Sequence, residues 1–392
     1  MLDSIHVGMT GLLGYAKGLR VIANNTANLN TPGFKGSSLQ FTDLFYASGG
    51  GSGRDAARLG HGLGTAGTHI DFRRGDLRQT GNDFDLGLEG EGLFVLRNAD
   101  GETSYTRAGQ FEFDANGVFV NRSDGSKVIG VDAAGQQTDI SVAGLRVSAG
   151  KPTTNLKFTG NLSSTSTEQM LPTVKVLDGV GREHALSIKL SRLETDPMGS
   201  WKLDVLQGTS SIATSTMTFI DGRPTAESAK FSFDFQAAGQ PARAVTLDFS
   251  KDVTSFASGT LSTLGMSSQD GLAPGQLGKV SFDGEGTLVA TYSNGETAKG
   301  ARLLLGRFAS ADAVRALGAN QFAAANGGAW EYGSPGDAGF GPMRAGVVEM
   351  SNVDLSREFS DLVVMQRGYQ ASSQVISTAN DMLQELFRMK AK

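Results

Sequence analysis

Residues able to do chemistry are few in this chain, and they are scattered. Of the four histidines, His6, His61, His69 and His184, no two have the spacing with which imidazoles grip a metal ion. Asp83 and Asp85 lie two apart, as do Asp283 and Glu285, and either pair could be drawn as an acid and base couple. Each stands beside glycines in a turn context, so solvated hairpin carboxylates are the expectation. The run Gly60-His-Gly-Leu-Gly64 lacks the Lys-Ser/Thr of a phosphate loop and is followed by no convincing helix. Coming soon after Gly49-Gly-Gly-Ser-Gly53, it reads as a flexible linker. Trp201 and Trp330 offer no stacking platform backed by a basic cluster. Cysteine is absent, which excludes disulfides, thiol catalysis and cysteine-ligated metals together. The expectation is a protein without catalytic, cofactor-binding or metal residues.

With chemistry set aside, composition bounds the rest. The 392 residues, 39% of them hydrophobic, suffice for two or three domains with real cores. A net charge of −5 gives no basic field for nucleic acid or anionic lipid. The first residues, Met1-Leu-Asp-Ser-Ile-His, lack the basic start and apolar run of a cleaved signal, and no stretch reaches the roughly 18 apolar residues of a membrane span. Taken alone, these features point to the cytoplasm, with neither membrane insertion nor nucleic acid binding.

The two ends share a helical pattern. Leu2, Ile5, Met9, Leu12, Ala16, Leu19, Ala23 and Thr26 step by three and four, as does the seam of an amphipathic helix. Gly8, Gly11, Gly14 and Gly18 lie off it; each interior glycine costs about 1 kcal/mol relative to alanine, so this helix needs neighbours. At the other end Leu355, Phe359, Leu362, Gln366, Tyr369, Ser373, Ile376, Asn380, Leu383 and Phe387 alternate four and three without a break. Every seventh position there, Gln366, Ser373 and Asn380, is polar, a device that fixes register and partner number in coiled coils. Asn352 and Asp354 are candidate caps, while Arg388, Lys390 and Lys392 suit the negative end of the helix dipole. Periodicity alone favours an ordinary antiparallel helix pair capping a globular protein. Heptads at both termini raise the alternative that the seams bury against identical copies, because chain ends are usually the least ordered part of a fold.

Between the helices the pattern is β. Short runs from Asp85 to Asn121, punctuated by Asp100-Gly101, Asn116-Gly117 and Asp124-Gly125, predict hairpins. A second set, Thr173–Leu177, His184–Leu190, Trp201–Leu206, Thr216–Ile220, Phe231–Phe235 and Ala244–Phe249, reads as antiparallel sandwich or barrel strands. Strand signal returns at Val280–Phe282, Thr287–Tyr292 and Ala301–Phe308. The expected fold is mainly β with terminal α-helices, its β-domains nested between an N-terminal and a C-terminal coiled-coil-like helix. The expected division is a helical core of 1–30 plus 352–392, a neck of 31–71 plus 341–351, an inner β-domain of 72–145 plus 270–340, and an outer β-domain of 146–269.

Ala23-Asn-Asn-Thr-Ala-Asn28-Leu-Asn-Thr-Pro-Gly-Phe-Lys35 resembles the signature of the flagellar rod and hook axial proteins. Its physics is that of a helix stop: asparagines tolerate turns, Pro32 forbids continuation, Gly33 permits positive φ and Phe34 can anchor the emerging strand. Gly346-Val-Val-Glu-Met-Ser-Asn-Val-Asp-Leu-Ser-Arg-Glu358 with Met365-Gln-Arg-Gly-Tyr-Gln370 resembles the carboxyl-terminal motif of that family. Gly90-Glu-Gly-Leu-Phe-Val95 and Tyr105-Thr-Arg-Ala-Gly-Gln-Phe111 resemble its inner β-domain. Resemblance is strong over about 1–145 and 270–392; the insertion from Phe158-Thr-Gly-Asn-Leu162 onward, with Gln269-Asp-Gly-Leu-Ala-Pro-Gly-Gln-Leu277, looks like the hook branch rather than the shorter rod proteins. The resemblance implies a self-assembling tube subunit outside the cell, exported without a cleaved signal through the flagellum's own channel. Its implied partners are identical copies, the distal rod protein, the hook cap, the hook-filament junction protein, the export apparatus and the hook-length control protein. The implied assembly residues are Ile5, Met9, Leu12, Leu19, Asn24, Asn25, Asn28, Gly33, Phe34, Leu355, Phe359, Leu362, Gln366, Tyr369, Ile376, Asn380, Leu383 and Phe387. A rod subunit is the alternative within the family; a secreted β-rich adhesin or carbohydrate-active enzyme is the alternative outside it.

Overall fold

The structure is a computed structural model that describes residues 2–44, 46–48, 58–194, 199–308, 310, 314–325 and 330–390. One recurrent turn makes many of its hairpins. At Asp114, Asp132, Asp178 and Asp283 the side-chain Oδ1 accepts hydrogen bonds from the backbone N–H groups two and four residues on. The glycine three residues on, Gly117, Gly135, Gly181 or Gly286, takes a φ between 76° and 82°, a region that excludes most side chains. Its N–H donates back to the aspartate carbonyl. The turn is therefore written as Asp-x-x-Gly, and the Asp-Gly and Asn-Gly pairs of the sequence mark only part of it.

The chain divides into two compact units: Met1–Ala143 with Val280–Val289 and Lys299–Lys392, and Gly144–Lys279 with Ala290–Ala298. In the first unit, helix α1 (Leu2–Ala27) and helix α2 (Leu355–Lys390) stand at the two ends of a β-rich chain, as the periodicity predicts. The 36 residues of α2 would span about 54 Å. Asp354 caps it, its Oδ1 accepting from Ser356 N at 2.8 Å. Asn352 is no cap; its side chain is used elsewhere, as described below. Among the described residues no helix is long and apolar enough to cross a membrane.

Ser37–Asp43 and Leu63–Ile70 form an antiparallel ladder, with a bulge at Gln40/Phe41. This corrects the flexible-linker reading of Gly60–Gly64 at its carboxyl end. Weakly patterned Gly-Thr sequence becomes a strand because it lies against α1, where a Cβ on Gly14 would come within 2.7 Å of Leu63 Cδ2. Gly49–Gly53, the other part of that reading, lies outside the described residues. The β-core of the unit pairs Leu93–Arg97 with Thr103–Thr106 on one side and Lys127–Val131 on the other. Leu93, Val95, Tyr105, Ile129, Leu304 and Phe322 pack together there. Wholly buried Phe111 and Phe119 hold a second aromatic cluster with Phe94, Phe113 and Phe282.

The second unit is a sandwich. Glu168–Leu177, Glu183–Arg192, Ser200–Gln207 and Ser210–Ile220 make an antiparallel meander. Facing it, Asn155–Asn161 pairs with Gly265–Gln269 on one side and Arg243–Asp248 on the other, and one core including Trp201, Phe158, Phe249 and Ile188 fills the space between the sheets. The pairing of Asn155–Asn161 with Arg243–Asp248 is parallel, contrary to the all-antiparallel expectation. The cause is the nesting itself: the strand at the start of the unit lies antiparallel beside the strand at its end, leaving the parallel edge for a strand from the middle.

Candidate functional site

Helix α1 ends in its own amides. Asn28 Nδ2 donates to Asn24 O at 2.9 Å, and Thr31 Oγ1 to Asn28 Oδ1 at 3.0 Å, before Pro32 closes the turn. Gly33 follows with φ +71°, and a Cβ there would lie 2.4 Å from Ala108 N, so only glycine fits. Half-buried Phe34 lines a cleft of about 550 Å3 with Asn24 and Asn28. Asn25 is buried and joins three elements: Nδ2 donates to Ser37 O (2.8 Å) and Glu358 Oε1 (3.0 Å), while Oδ1 accepts from Ser37 N (3.1 Å).

Beneath this turn lies a buried ionic clasp. Lys35 Nζ meets Glu349 Oε1 at 2.6 Å, and Arg107 Nε meets Glu349 Oε2 at 2.5 Å, with all three side chains almost wholly buried. Gly75 N also donates to Glu349, and Lys35 donates to Arg73 O. The remaining guanidinium donors of Arg107 reach the carbonyls of Leu88, Gly90 and Gly92. Asn352 completes the clasp by accepting from Gly36 N and donating to Asp71 O and Arg73 O. The amino-terminal signature, both inner β motifs and the carboxyl-terminal motif thus meet around one carboxylate. Burial opposes the charge of Glu349, but Arg107 and Lys35 outweigh it and hold the carboxyl below its usual range. Burial pulls the Lys35 ammonium below its usual range, against the attraction of Glu349. Two cations, one anion and their carbonyl acceptors satisfy one another. The arrangement ties segments together rather than acting on a substrate.

The helices pack antiparallel within the chain, and through glycines. A Cβ on Gly8 would stand 2.7 Å from Ile376 Cγ1, one on Gly18 2.9 Å from Met365 Sδ, and one on Gly368 2.5 Å from the Tyr15 ring. Of the glycines that lie off the predicted seam, Gly8, Gly11 and Gly18 are therefore the face α1 turns to α2, while Gly14 faces Leu63 and Phe41. Of the seam residues, Ile5, Leu12, Leu19, Leu362, Ile376 and Leu383 are half-buried. Met9, Leu355, Phe359, Gln366, Tyr369, Ser373, Asn380 and Phe387 are exposed, Phe359 at 53% and Phe387 at 70%. On the other side of the α1-facing stripe, at 100° per residue, Val364, Val375, Met382 and Leu386 form a second exposed apolar flank.

The reactive candidates of the sequence come to rest apart from one another. Among the described residues no group of three metal-ligating side chains exists. His184 pairs with Asp178 at 2.9 Å, and this hydrogen bond, with those from Arg182 and Val180 N–H, brings the Asp178 pKa to about 2 despite partial desolvation. Asp85 is not the solvated carboxylate expected: it is buried, with Arg122 Nη2 at 3.2 Å and Asn82 Nδ2 at 3.3 Å. Trp201 is core, and Trp330 stacks on Tyr105 at 3.6 Å. Lys35, Arg107 and Glu349 lie inside the three motifs, but no pattern in the sequence marks their role. The available signal was a lone charge set in glycine or apolar sequence, as in Gly33-Phe-Lys-Gly36 and Val347-Val-Glu-Met350.

Three family models match: "Flagella basal body rod protein" over residues 5–35, "Flagellar hook protein FlgE/F/G D1 domain" over 87–163, and "Flagellar basal body rod FlgEFG protein C-terminal" over 344–389. End to end, the chain is similar to flagellar hook proteins. It is 27% identical to the flagellar hook protein FlgE of Borreliella burgdorferi, covering 100% of both chains. It is 29% identical to that of Escherichia coli K12, covering 97% of this chain and 98% of the other. To that of Salmonella typhimurium LT2 it is 28% identical, with 99% and 100% covered. Among solved structures it aligns with the Helicobacter pylori flagellar hook protein FlgE2 at a TM-score of 0.45 and 13% identity, over 68% of this chain and 99% of that one.

Proposed function

We infer that this chain is a structural subunit of the bacterial flagellar hook, polymerising with copies of itself into the curved tube that carries motor torque from rod to filament. The observation that carries hook over rod is that the similarity to hook proteins spans nearly the whole of both chains, the second β-unit included. The helix pair supplies the physical means. Its internal contact consumes the glycine face, while two apolar flanks of α2 stay in solvent and identical copies can cover both. The polar seam positions Gln366, Ser373 and Asn380 then select register. Helices form the inner tube, and the β-units make outer contacts that slide as each protofilament shortens and lengthens in rotation.

In this role the chain leaves the cell through the flagellar export channel without a cleaved signal and adds beneath a hook cap onto the distal rod. Junction proteins follow at its far end, and a length-control protein sets its extent. Its work is mechanical rather than catalytic. Electron microscopy of tubes polymerised from the purified chain tests the reading. Curved tubes of uniform diameter are expected; straight rigid rods would favour a basal-body rod subunit, and a monomer at high concentration and salt would overturn both.

A further inference from the structure

At one end of the second unit three large apolar side chains stand in solvent: Ile220, Phe256 and Leu261, exposed by 50%, 55% and 76%. A loose loop could leave such residues out by accident, but this one is tied down. Asn161 Oδ1 accepts from Phe256 N (2.9 Å) and Thr254 Oγ1, and its Nδ2 donates to Phe256 O and Ser258 Oγ. Ser163 Oγ donates to Gly259 O, Ser258 Oγ to Leu261 O, and Ser262 Oγ accepts from Ser163 N. The Phe256 ring lies on Gly222, where a Cβ would come within 2.3 Å of it, and Ser255 N donates to Gly222 O. The turn after Ile220 and the loop carrying Phe256 and Leu261 are therefore one rigid body.

Its position is also set. At one end of the strand Asn155–Asn161, Asp270 Oδ1 accepts from Thr154 N and Asn155 N. The strand Asn155–Asn161 then runs about 20 Å to reach the loop it anchors. The apolar surface thus lies at the end of that strand away from Asp270.

Size decides the occupant. Three side chains of this kind, half exposed or more, offer roughly 300 Å2, against the roughly 800 Å2 per partner of a stable complex. Such a surface cannot recruit a free protein, but it can hold one that other contacts already keep in place. We propose that Ile220, Phe256 and Leu261 form a fixed apolar contact onto a second copy of this chain within the tube. This rests on the hook reading, in which the helical layer supplies the other contacts, and it adds to that reading one fixed point beside the outer contacts that slide. Being apolar, it is insensitive to the screening that weakens surface charge pairs.

Because the chain has no cysteine, Leu261→Cys in the full-length protein can carry a single thiol-linked benzophenone. Irradiated tubes should give intermolecular adducts, undiminished in high salt, severalfold above the same chain kept dilute and unassembled. The double variant Phe256→Ser/Leu261→Ser, which changes only exposed side chains, should still polymerise but give tubes of altered curvature. Tubes that form without adducts, or a double variant with unaltered curvature, overturn the contact while leaving the hook reading standing. An unsubstituted chain that forms no tubes overturns the two together.

Discussion

Glu349 pairs with both buried cations of the clasp, so its replacement tests the site most directly. Glu349→Gln leaves Lys35 and Arg107 buried without their counter-charge, at an expected cost of about 3–5 kcal/mol in unfolding free energy. Denaturant titration checks this, and a loss no larger than that of a surface substitution would contradict it. The pH dependence has a definite sign. Because Glu349 is held below its usual range, its contribution is complete above the unfolded carboxylate pKa and is lost as pH falls through the lowered folded value. Glu358 behaves oppositely: burial first, then Asp361 and Asp354, raise its pKa against the hydrogen bond from Asn25. Its contribution therefore grows as pH falls from the raised value toward the ordinary one. Urea midpoints measured against pH should lose this mild-acid rise in Glu358→Gln while keeping the acid loss to which Glu349 contributes. Asp178 should titrate by NMR near 2 and move back toward the ordinary carboxylate value in His184→Leu, which removes the principal hydrogen bond. The letters of the clasp were legible in the sequence, but Lys35 and Glu349 are 314 positions apart. Nothing in composition or periodicity assigns one isolated charge to another at that separation.

Helices and hairpins were legible because their signals are local. The 3.6-residue period marks α1 and α2, and turn residues mark strands such as Glu183–Arg192 and Ser200–Gln207 within a few positions. The helical packing face was not legible, since apolar periodicity favours large residues as the contact, whereas close approach here is made by small ones. Gly368→Ala tests the difference. Intrinsic propensity alone would make it stabilising by about 1 kcal/mol. The added methyl instead meets the Tyr15 ring, itself tilted against Phe41 at 5.9 Å, and overpacking of this kind costs about 1–3 kcal/mol. A lower midpoint of helix melting by circular dichroism is expected, with partial recovery in Gly368→Ala/Tyr15→Leu. A higher midpoint in the single variant would show that the helices do not meet through this face. The ladder of Ser37–Asp43 with Leu63–Ile70 escaped for a related reason: its alternation is weak, and α1, not its own sequence, makes it a strand.

For the whole molecule, the alternation of helix, β and helix is plain in the sequence, and so is the return of the chain on itself. The proposed hook role divides labour between helices and β-units. Deleting Met1–Leu29 or Leu355–Lys392 should leave soluble, folded β-structure that forms no tubes. Excising roughly Arg146–Ser268 should permit polymerisation with changed curvature or handedness, and electron microscopy reads both results. Tubes from either terminal truncation would place the essential contacts in the β-units. The clasp and the helix pair both join residues from opposite ends of the chain, and this fixes an order in time. Whichever terminus is freed first, α1 cannot find α2, nor Lys35 find Glu349, until nearly every residue between them is available. Hairpins close early and the helix pair closes last. In the proposed role, the length of the chain itself thus delays the joining of a subunit to its neighbours.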